Sequence, residues 1–256
     1  MSFPYKHVLL VGASSGIGLA LAERLVQDCK VTVVGRRRKL LDEFVAKYGS
    51  KAQAITFDLA DIEKAPQFAA DVIKGSPDID CIFLNAGFLE NEDFSKPESV
   101  DMKAFNQVMK VNFTSFVVLT HAFLPYLLGK EKTSFIYTTS NLAIVPAVHM
   151  TSYSASKAAL HAFILCLRNT LRNTSVNVVE LLPPLVATQI HGLLGPDGHP
   201  LGMPLEDFTT RAYTGLISGE DTVYIGDGPS SEGVGNIIAQ RRVIFDEMSE
   251  MIRTMV

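Results

Sequence analysis

The stretch His7-Val8-Leu9-Leu10-Val11-Gly12-Ala13-Ser14-Ser15-Gly16-Ile17-Gly18 runs from an apolar segment through a glycine turn into the start of a helical pattern. An apolar run this short, with β-branched members and a glycine at its end, reads as a strand buried on both faces. Gly12 permits a tight turn, Gly16 lets the backbone approach a pyrophosphate, and Gly18 lets helix and strand pack closely. The helix N-terminus points at the same spot and favours negative charge. Gly12, Ser14, Ser15, Gly16, Ile17 and Gly18 are therefore read as a phosphate-binding turn.

Working outward, further strand-like runs lie at 31–35, 52–57, 79–84, 134–139 and 176–182, with helical patterns at 16–29, 39–48, 62–74, 102–128 and 152–172. Repeated β-α-β units cross over with one hand, which makes the strands parallel and puts helices on both faces. The fold class expected is α/β: a doubly wound parallel sheet of about seven strands, with residues 222–225 as the last and ligands at the carboxyl ends. The 256 residues fall within the range of one or two domains, and the unbroken alternation favours one.

Apolar residues make up 47% and charged ones 20%, enough for a sizeable core and unlike a disordered chain. A formal net charge of −4 gives no basic footprint for nucleic acid. Cys29, Cys81 and Cys166 lack metal-ligand spacing and are expected to be buried, reduced thiols. No signal-peptide layout is visible, and the longest apolar run, 116–128, contains His121 and Pro125, so no membrane span is expected and the cytoplasm is the expected location. The glycosylation-like triplets at Asn112 and Asn173 are read as chance.

The second strand ends in Gly35-Arg36-Arg37-Arg38-Lys39. Glycine stands where an acid would hold a ribose 2′-hydroxyl, so an NAD-type contact is missing. Each exposed cation at a helix N-terminus costs about 0.3–1 kcal/mol, a cost that a bound phosphate would remove. Arg36, with Arg37 beside it, is read as gripping the 2′-phosphate of NADP(H), since a guanidinium can bond it bidentately and stack on adenine. Asp58, after the third strand, can accept from an adenine amino group or cap the next helix. Gly12-Ala13-Ser14-Ser15-Gly16 also matches the G-x-S-x-G elbow of hydrolases, but that reading leaves Gly18 without a role.

Tyr153-Ser154-Ala155-Ser156-Lys157 places a phenol and an ammonium on one helix face, with Ser140 thirteen residues earlier at a strand end. A free phenol has a pKa near 10, so roughly one in a thousand is ionised at pH 7. The ammonium, the helix N-terminus and the positive charge of an oxidised nicotinamide would all pull it down. Ser140 can then polarise a carbonyl while Tyr153 gives the proton and a nicotinamide gives the hydride. The same spacing recurs in Tyr126-Leu127-Leu128-Gly129-Lys130, where the residue thirteen before the tyrosine is Phe113, which has no hydroxyl.

Together Gly12-x-x-x-Gly16-x-Gly18, Asn85-Ala86-Gly87, Asn112, Ser140 and Tyr153-x-x-x-Lys157 resemble the short-chain dehydrogenases/reductases over nearly the whole chain. The resemblance implies a Rossmann-type oxidoreductase domain in which Asn112 completes a tetrad with Ser140, Tyr153 and Lys157 and holds a water in a relay through Lys157. It also implies that Lys157 binds the nicotinamide ribose, that Asn85, Ala86 and Gly87 line the adenine ribose side, and that Thr188, with the Val186 backbone, meets the carboxamide. Leu84 and Pro184 depart from the family pattern, the latter removing an N–H beside the nicotinamide.

Residues 142–150 are apolar apart from His149, and with Phe88 and Leu89 they suit an apolar ketone or secondary alcohol. Residues 183–207, rich in Pro, Gly and apolar groups, are expected to form a flap over the pocket. His149, His191 and His199 lack metal-ligand spacing, and no metal is expected. The crowded apolar helix at 152–172 points to a homodimer or larger homo-oligomer, and residues 231–256 to a docking helix. The reading that results is an NADP(H)-dependent carbonyl reductase or alcohol dehydrogenase. The alternatives are a catalytically silent NADP-binding protein and, further off, a hydrolase using Ser14.

Overall fold

The computed structural model describes residues 2–188 and 201–255. Its centre is β1 (His7–Val11), buried along its whole length, as an apolar run predicts for a strand covered on both sides. Around it β2 (Lys30–Gly35), β3 (Ala52–Thr56), β4 (Cys81–Leu84), β5 (Thr133–Thr138), β6 (Val176–Leu182) and β7 (Thr222–Tyr224) form one parallel sheet in the order β3-β2-β1-β4-β5-β6-β7. Register is continuous through the centre, Val8 pairing with Val31 on one side and Cys81 on the other.

Alternating residues of β1 feed two cores. Val8 and Leu10 pack with α1 (Gly16–Leu25), α2 (Arg38–Tyr48) and, from further along the chain, α7 (Leu205–Ser218), through Leu21, Leu41 and Phe208. Leu9 and Val11 pack with α3 (Ala65–Gly75), α5 (Ser115–Leu128) and α6 (Thr151–Leu171), through Phe68, Phe116, Leu160 and Ile164. A strand with period-two side chains can serve both layers only if both of its faces are apolar.

The pattern read as one helix over 102–128 is three pieces. α4 (Met102–Met109) is capped by Asp101, which accepts from the N–H groups of Lys103 and Ala104 at 2.8 and 3.2 Å. A π-helical turn at Lys110–Thr114 then leads into α5. Period-3.6 patterning does not reveal such a widened turn, because it shifts the apolar face by only one residue. Met102–Leu128 as a whole is, by length and composition alone, apolar enough to cross a membrane, but Phe116, Leu119, Phe123 and Leu127 are buried in the core beneath the sheet. Cys29 and Cys81 are buried as expected; Cys166 is exposed, because it lies on the outer face of α6.

The chain ends in α8 (Ser231–Met255), a 25-residue helix with no buried residue. Of the residues expected to form a flap, 183–188 and 201–207 are described: Ala187 N–H donates to Met203 O at 2.9 Å and Met203 N–H to Leu185 O at 2.8 Å, so the two arms are tied together. Residues 189–200, with Ile190, Leu193, Leu194, His191 and His199, lie outside the described residues.

Two glycines fix the turn after β1. Gly12 has φ +88°, and a Cβ there would lie 2.5 Å from Ala86 Cα; a Cβ at Gly18 would lie 2.1 Å from Gly12 O. We expect Gly18→Ala to lose about 1–3 kcal/mol of stability, the range for forced overpacking. Gly75→Ala, where a Cβ meets nothing within 4 Å, should be neutral or slightly stabilising. Equal melting temperatures for the two variants would refute the close-packing account.

Candidate active site

The carboxyl ends of the strands open on a cavity of about 970 Å³. Its lining includes Gly12, Ser14, Ser15, Gly16, Ile17 and Gly18 from the turn after β1, and Arg36, Arg37 and Asp58 from the ends of β2 and β3. Asn85, Ala86 and Gly87 follow β4, Ser140 follows β5, Tyr153 and Lys157 project from α6, and Val186 and Thr188 follow β6. Every residue read from the sequence as catalytic or cofactor-binding lines this one space except Asn112.

α1 begins without a side-chain cap and has no acidic residue in its first turn, so its N–H groups face the cavity uncompensated. With the tight glycine turn this makes a cradle suited to a pyrophosphate. Arg37 donates to Ser14 Oγ at 2.8 and 3.2 Å and to Ser15 Oγ at 2.5 Å, bracing that turn. Arg38 pairs with Asp42 at 2.8 Å. Arg36 reaches the cavity and makes no hydrogen bond or ion pair among the described residues. Asp58 Oδ1 accepts from Ala60 N–H at 3.0 Å, so it caps the following turn while still facing the cavity. The Arg37 guanidinium donates to the Ser14 oxygen, and among the described residues no histidine bonds it as an elbow nucleophile needs.

Ser140 caps a short turn at Asn141–Ala143, its Oγ accepting from Leu142 N–H at 3.1 Å. Lys157 is buried; its Nζ donates to Thr138 O at 2.9 Å and lies 5.7 Å from the Tyr153 ring centroid. The sequence reading expects the phenol to be drawn down by this ammonium. In the protein's own surroundings burial pushes the Tyr153 phenol up to about 12, with the Ser140 hydroxyl pulling the other way. Burial likewise draws Lys157 down to about 7, opposed by Glu180. Desolvation outweighs the pairing because both groups are enclosed.

Asn112 sits in the π-helical turn with no exposed surface. Its Nδ2 donates to Phe88 O at 2.7 Å and Ser156 Oγ at 3.1 Å, while Oδ1 accepts from Phe88 N–H at 2.8 Å. Both amide hydrogens are therefore spent on clamping the strand-end loop to α6. Thr138, which no motif marks, joins the parts: its Oγ1 donates to Asn85 Oδ1 at 2.8 Å, and Asn85 Nδ2 donates to Gly12 O at 3.4 Å.

Leu142, Val145, Ala147, Met150 and Phe88 line the cavity. Val148 points outward and is 82% exposed, and Leu89 and His149 are not in the lining. His149 has φ +66° and its ring bonds Glu92 O at 3.2 Å. The buried Glu92 accepts from Ser152 N–H at 3.1 Å and from its hydroxyl, capping the first turn of α6 from a distant loop. That contact has no sequence signal, since Glu92 and Ser152 are 60 residues apart. No cluster of metal-ligating side chains occurs among the described residues.

A family model described as short chain dehydrogenase matches residues 6–197. The chain is 31% identical to DltE of Bacillus subtilis strain 168, described as an uncharacterized oxidoreductase, over 99% of each chain. It is 32% identical to serine 3-dehydrogenase of Rhizobium radiobacter, over 71% of this chain and 72% of that one. Among solved structures, a short chain dehydrogenase from Burkholderia cenocepacia J2315 in complex with NADP superposes with a TM-score of 0.77 and 24% identity, covering 96% of this chain and 98% of that one. One from Burkholderia phymatum in complex with NAD also has a TM-score of 0.77, at 19% identity, covering 87% and 89%. The same fold thus carries either nicotinamide cofactor.

If Asn112 clamps the loop, Asn112→Ala should lower stability by about 2–3 kcal/mol, the order expected when buried backbone groups lose their partners. Urea unfolding would read this, and unchanged stability would show that the clamp is dispensable.

Proposed function

The chain belongs to the short-chain dehydrogenase family, and on that premise we propose that it is an NADP(H)-dependent carbonyl reductase or alcohol dehydrogenase acting on an apolar ketone or secondary alcohol. The observation that carries this reading is that Ser140, Tyr153 and Lys157 line the same cavity as the uncapped glycine turn. When bound there, the nicotinamide cofactor supplies or accepts the hydride.

The chain's own residues do the rest. Gly12, Gly16 and Gly18 with the start of α1 hold the pyrophosphate, and Asn85, Ala86, Gly87, Val186, Thr188 and Lys157 hold the riboses and nicotinamide. Arg36, without a partner among the described residues, grips a 2′-phosphate, with Arg37 bracing the turn. Ser140 donates a hydrogen bond to the substrate oxygen, and the Tyr153 phenol gives that oxygen its proton. A phenol raised to about 12 is fully protonated near neutral pH, which is the form that carbonyl reduction needs. Alcohol oxidation needs the phenolate, so that direction gains as pH rises. Lys157 orients the ribose beside Tyr153, and Asn112 holds the loop and α6 together.

Leu142, Val145, Ala147, Met150 and Phe88 form an apolar wall beside Tyr153, which suits a substrate without charge at the reacting end. The outer face of α6, with Ala162 and Cys166 exposed and Phe163 half-buried, suits contact with a second copy of the chain in a homo-oligomer.

Tyr153→Phe should lower NADPH-dependent reduction of a ketone panel by at least about 10²-fold, the range for losing a general acid, with NADPH affinity unchanged within a few-fold. NADPH binding without turnover by the parent protein across a broad panel would overturn the reading. Arg36→Ala should cut the NADPH-to-NADH ratio of kcat/KM by about 10-fold or more, the size of a lost charge-assisted hydrogen bond. An unchanged ratio would refute the phosphate assignment.

A further inference from the structure

α8 carries two apolar faces, and the body of the protein covers only one of them. On the inner face Val234, Ile238 and Phe245 are half-buried, Arg242 pairs with Asp221 at 3.1 Å, Arg253 donates to Asn169 Oδ1 at 2.9 Å and Tyr224 OH donates to Ser231 O at 2.8 Å. These contacts fix the helix against the sheet edge and α6. About 120° round the helix runs a second row, Ile237, Arg241, Ile244, Met248, Met251 and Met255, with alternating steps of four and three residues. Such spacing is that of the seam along which two helices pack. The five apolar members of the row, with Ile252 beside them, are 48% to 75% exposed. An open apolar strip of several hundred Å² is uncommon on a soluble chain that stands alone and marks a contact surface.

We propose that this row is an interface with a second copy of the chain, in which the two α8 helices lie antiparallel with Ile244 against Met248 of the second copy. The same overlay sets Ile237 against Met255 and Arg241 against Met251, each contact occurring twice about a two-fold axis. Apolar side chains then meet apolar ones throughout, except that Met251 takes the aliphatic stem of Arg241. Charge decides the direction. A parallel pair would bring the two Arg241 side chains face to face, whereas the antiparallel pair sets them ten residues, about 15 Å, apart. Each Arg241 also comes within a turn of Glu247 of the second copy, and neither residue has an ion pair among the described residues. The exposed apolar area of the row is on the order of 600 Å² per copy, which for two copies reaches the lower end of what stable interfaces bury. Three arginines against four acids on α8 do not make the basic face of a helix that lies on a lipid surface. The contact uses residues other than those of the outer α6 face, and it is independent of the reaction proposed above.

The test is the mass of the full chain by sedimentation velocity across the micromolar range, with circular dichroism to check the fold. Ile244→Glu should halve the assembled mass, because it places a carboxylate in the middle of the seam. Val243→Glu should leave the mass unchanged, since Val243 is 56% exposed but lies about 100° round the helix from Ile244. Arg241→Glu should raise the dissociation constant of the contact by at least about 10-fold through like charge at Glu247, and Arg241→Glu with Glu247→Arg should restore most of it. A monomeric parent protein overturns the proposal, and protection of the row from hydrogen exchange in that monomer would show a cover from within the chain. An assembled mass that Ile244→Glu leaves unchanged overturns it equally, because the copies then meet through another face. If Ile244→Glu does not fold, the charge exchange decides: a double variant no tighter than Arg241→Glu alone overturns the antiparallel pairing.

Discussion

The reversal of strand order between β1 and β4 determines where everything else can lie. The chain runs from β1 outward through β2 and β3, then returns to lay β4 against the other side of β1. The connections on the two sides leave in opposite directions, so the crossover helices leave a gap above the carboxyl ends of these two strands. Into that gap open the glycine turn after β1, the Asn85-Ala86-Gly87 segment after β4, Ser140 after β5 and the arm after β6. Because parallel strands buried on both faces leave only their ends accessible, polar chemistry in this fold is confined to that rim.

Rigidity at the rim comes from hydrogen bonds that cross between strands. Lys157 bonds the Thr138 carbonyl, Thr138 bonds Asn85, and Asn85 bonds Gly12 O, so α6 is linked to the glycine turn through side chains from β5 and the β4 loop. Asn112 and Glu92 tie the same loop to α6 at Phe88 and Ser152. Inside this enclosure desolvation dominates: the phenol of Tyr153 holds its proton firmly and Lys157 holds its own weakly. Two neutral-leaning partners differ from the ion pair that helical spacing alone suggests.

The two Tyr-x-x-x-Lys segments show how little a spacing decides. At Tyr126 and Lys130 both side chains donate to the carbonyls of Pro77 and Ile79, from 2.8 to 3.1 Å, and fasten the turn before β4 at the amino ends of the strands. At Tyr153 and Lys157 the same pair faces the carboxyl ends, beside Ser140. Orientation relative to the sheet, which sequence spacing does not encode, separates a structural fastening from a candidate proton donor.

Much of the fold is legible in the residues themselves, because burial leaves a direct trace. Six apolar runs and the helical periods between them give strands and helices in the right order, and Gly12 to Gly18 gives the turn at the sheet's centre. The candidate site is legible where a motif is local, as with the glycine turn, Arg36 and the Tyr153–Lys157 pair. It is not legible where contacts join distant residues. The π-helical turn at Asn112, the capping of Ser152 by Glu92 and the enclosure of Glu180 by His161 and Thr139 all depend on long-range packing. The sequence by itself determined which segments are buried and which side chains can carry the chemistry. Only the tertiary structure decided which charges meet and how strongly they hold their protons, because desolvation depends on what encloses a group and not on its neighbours along the chain.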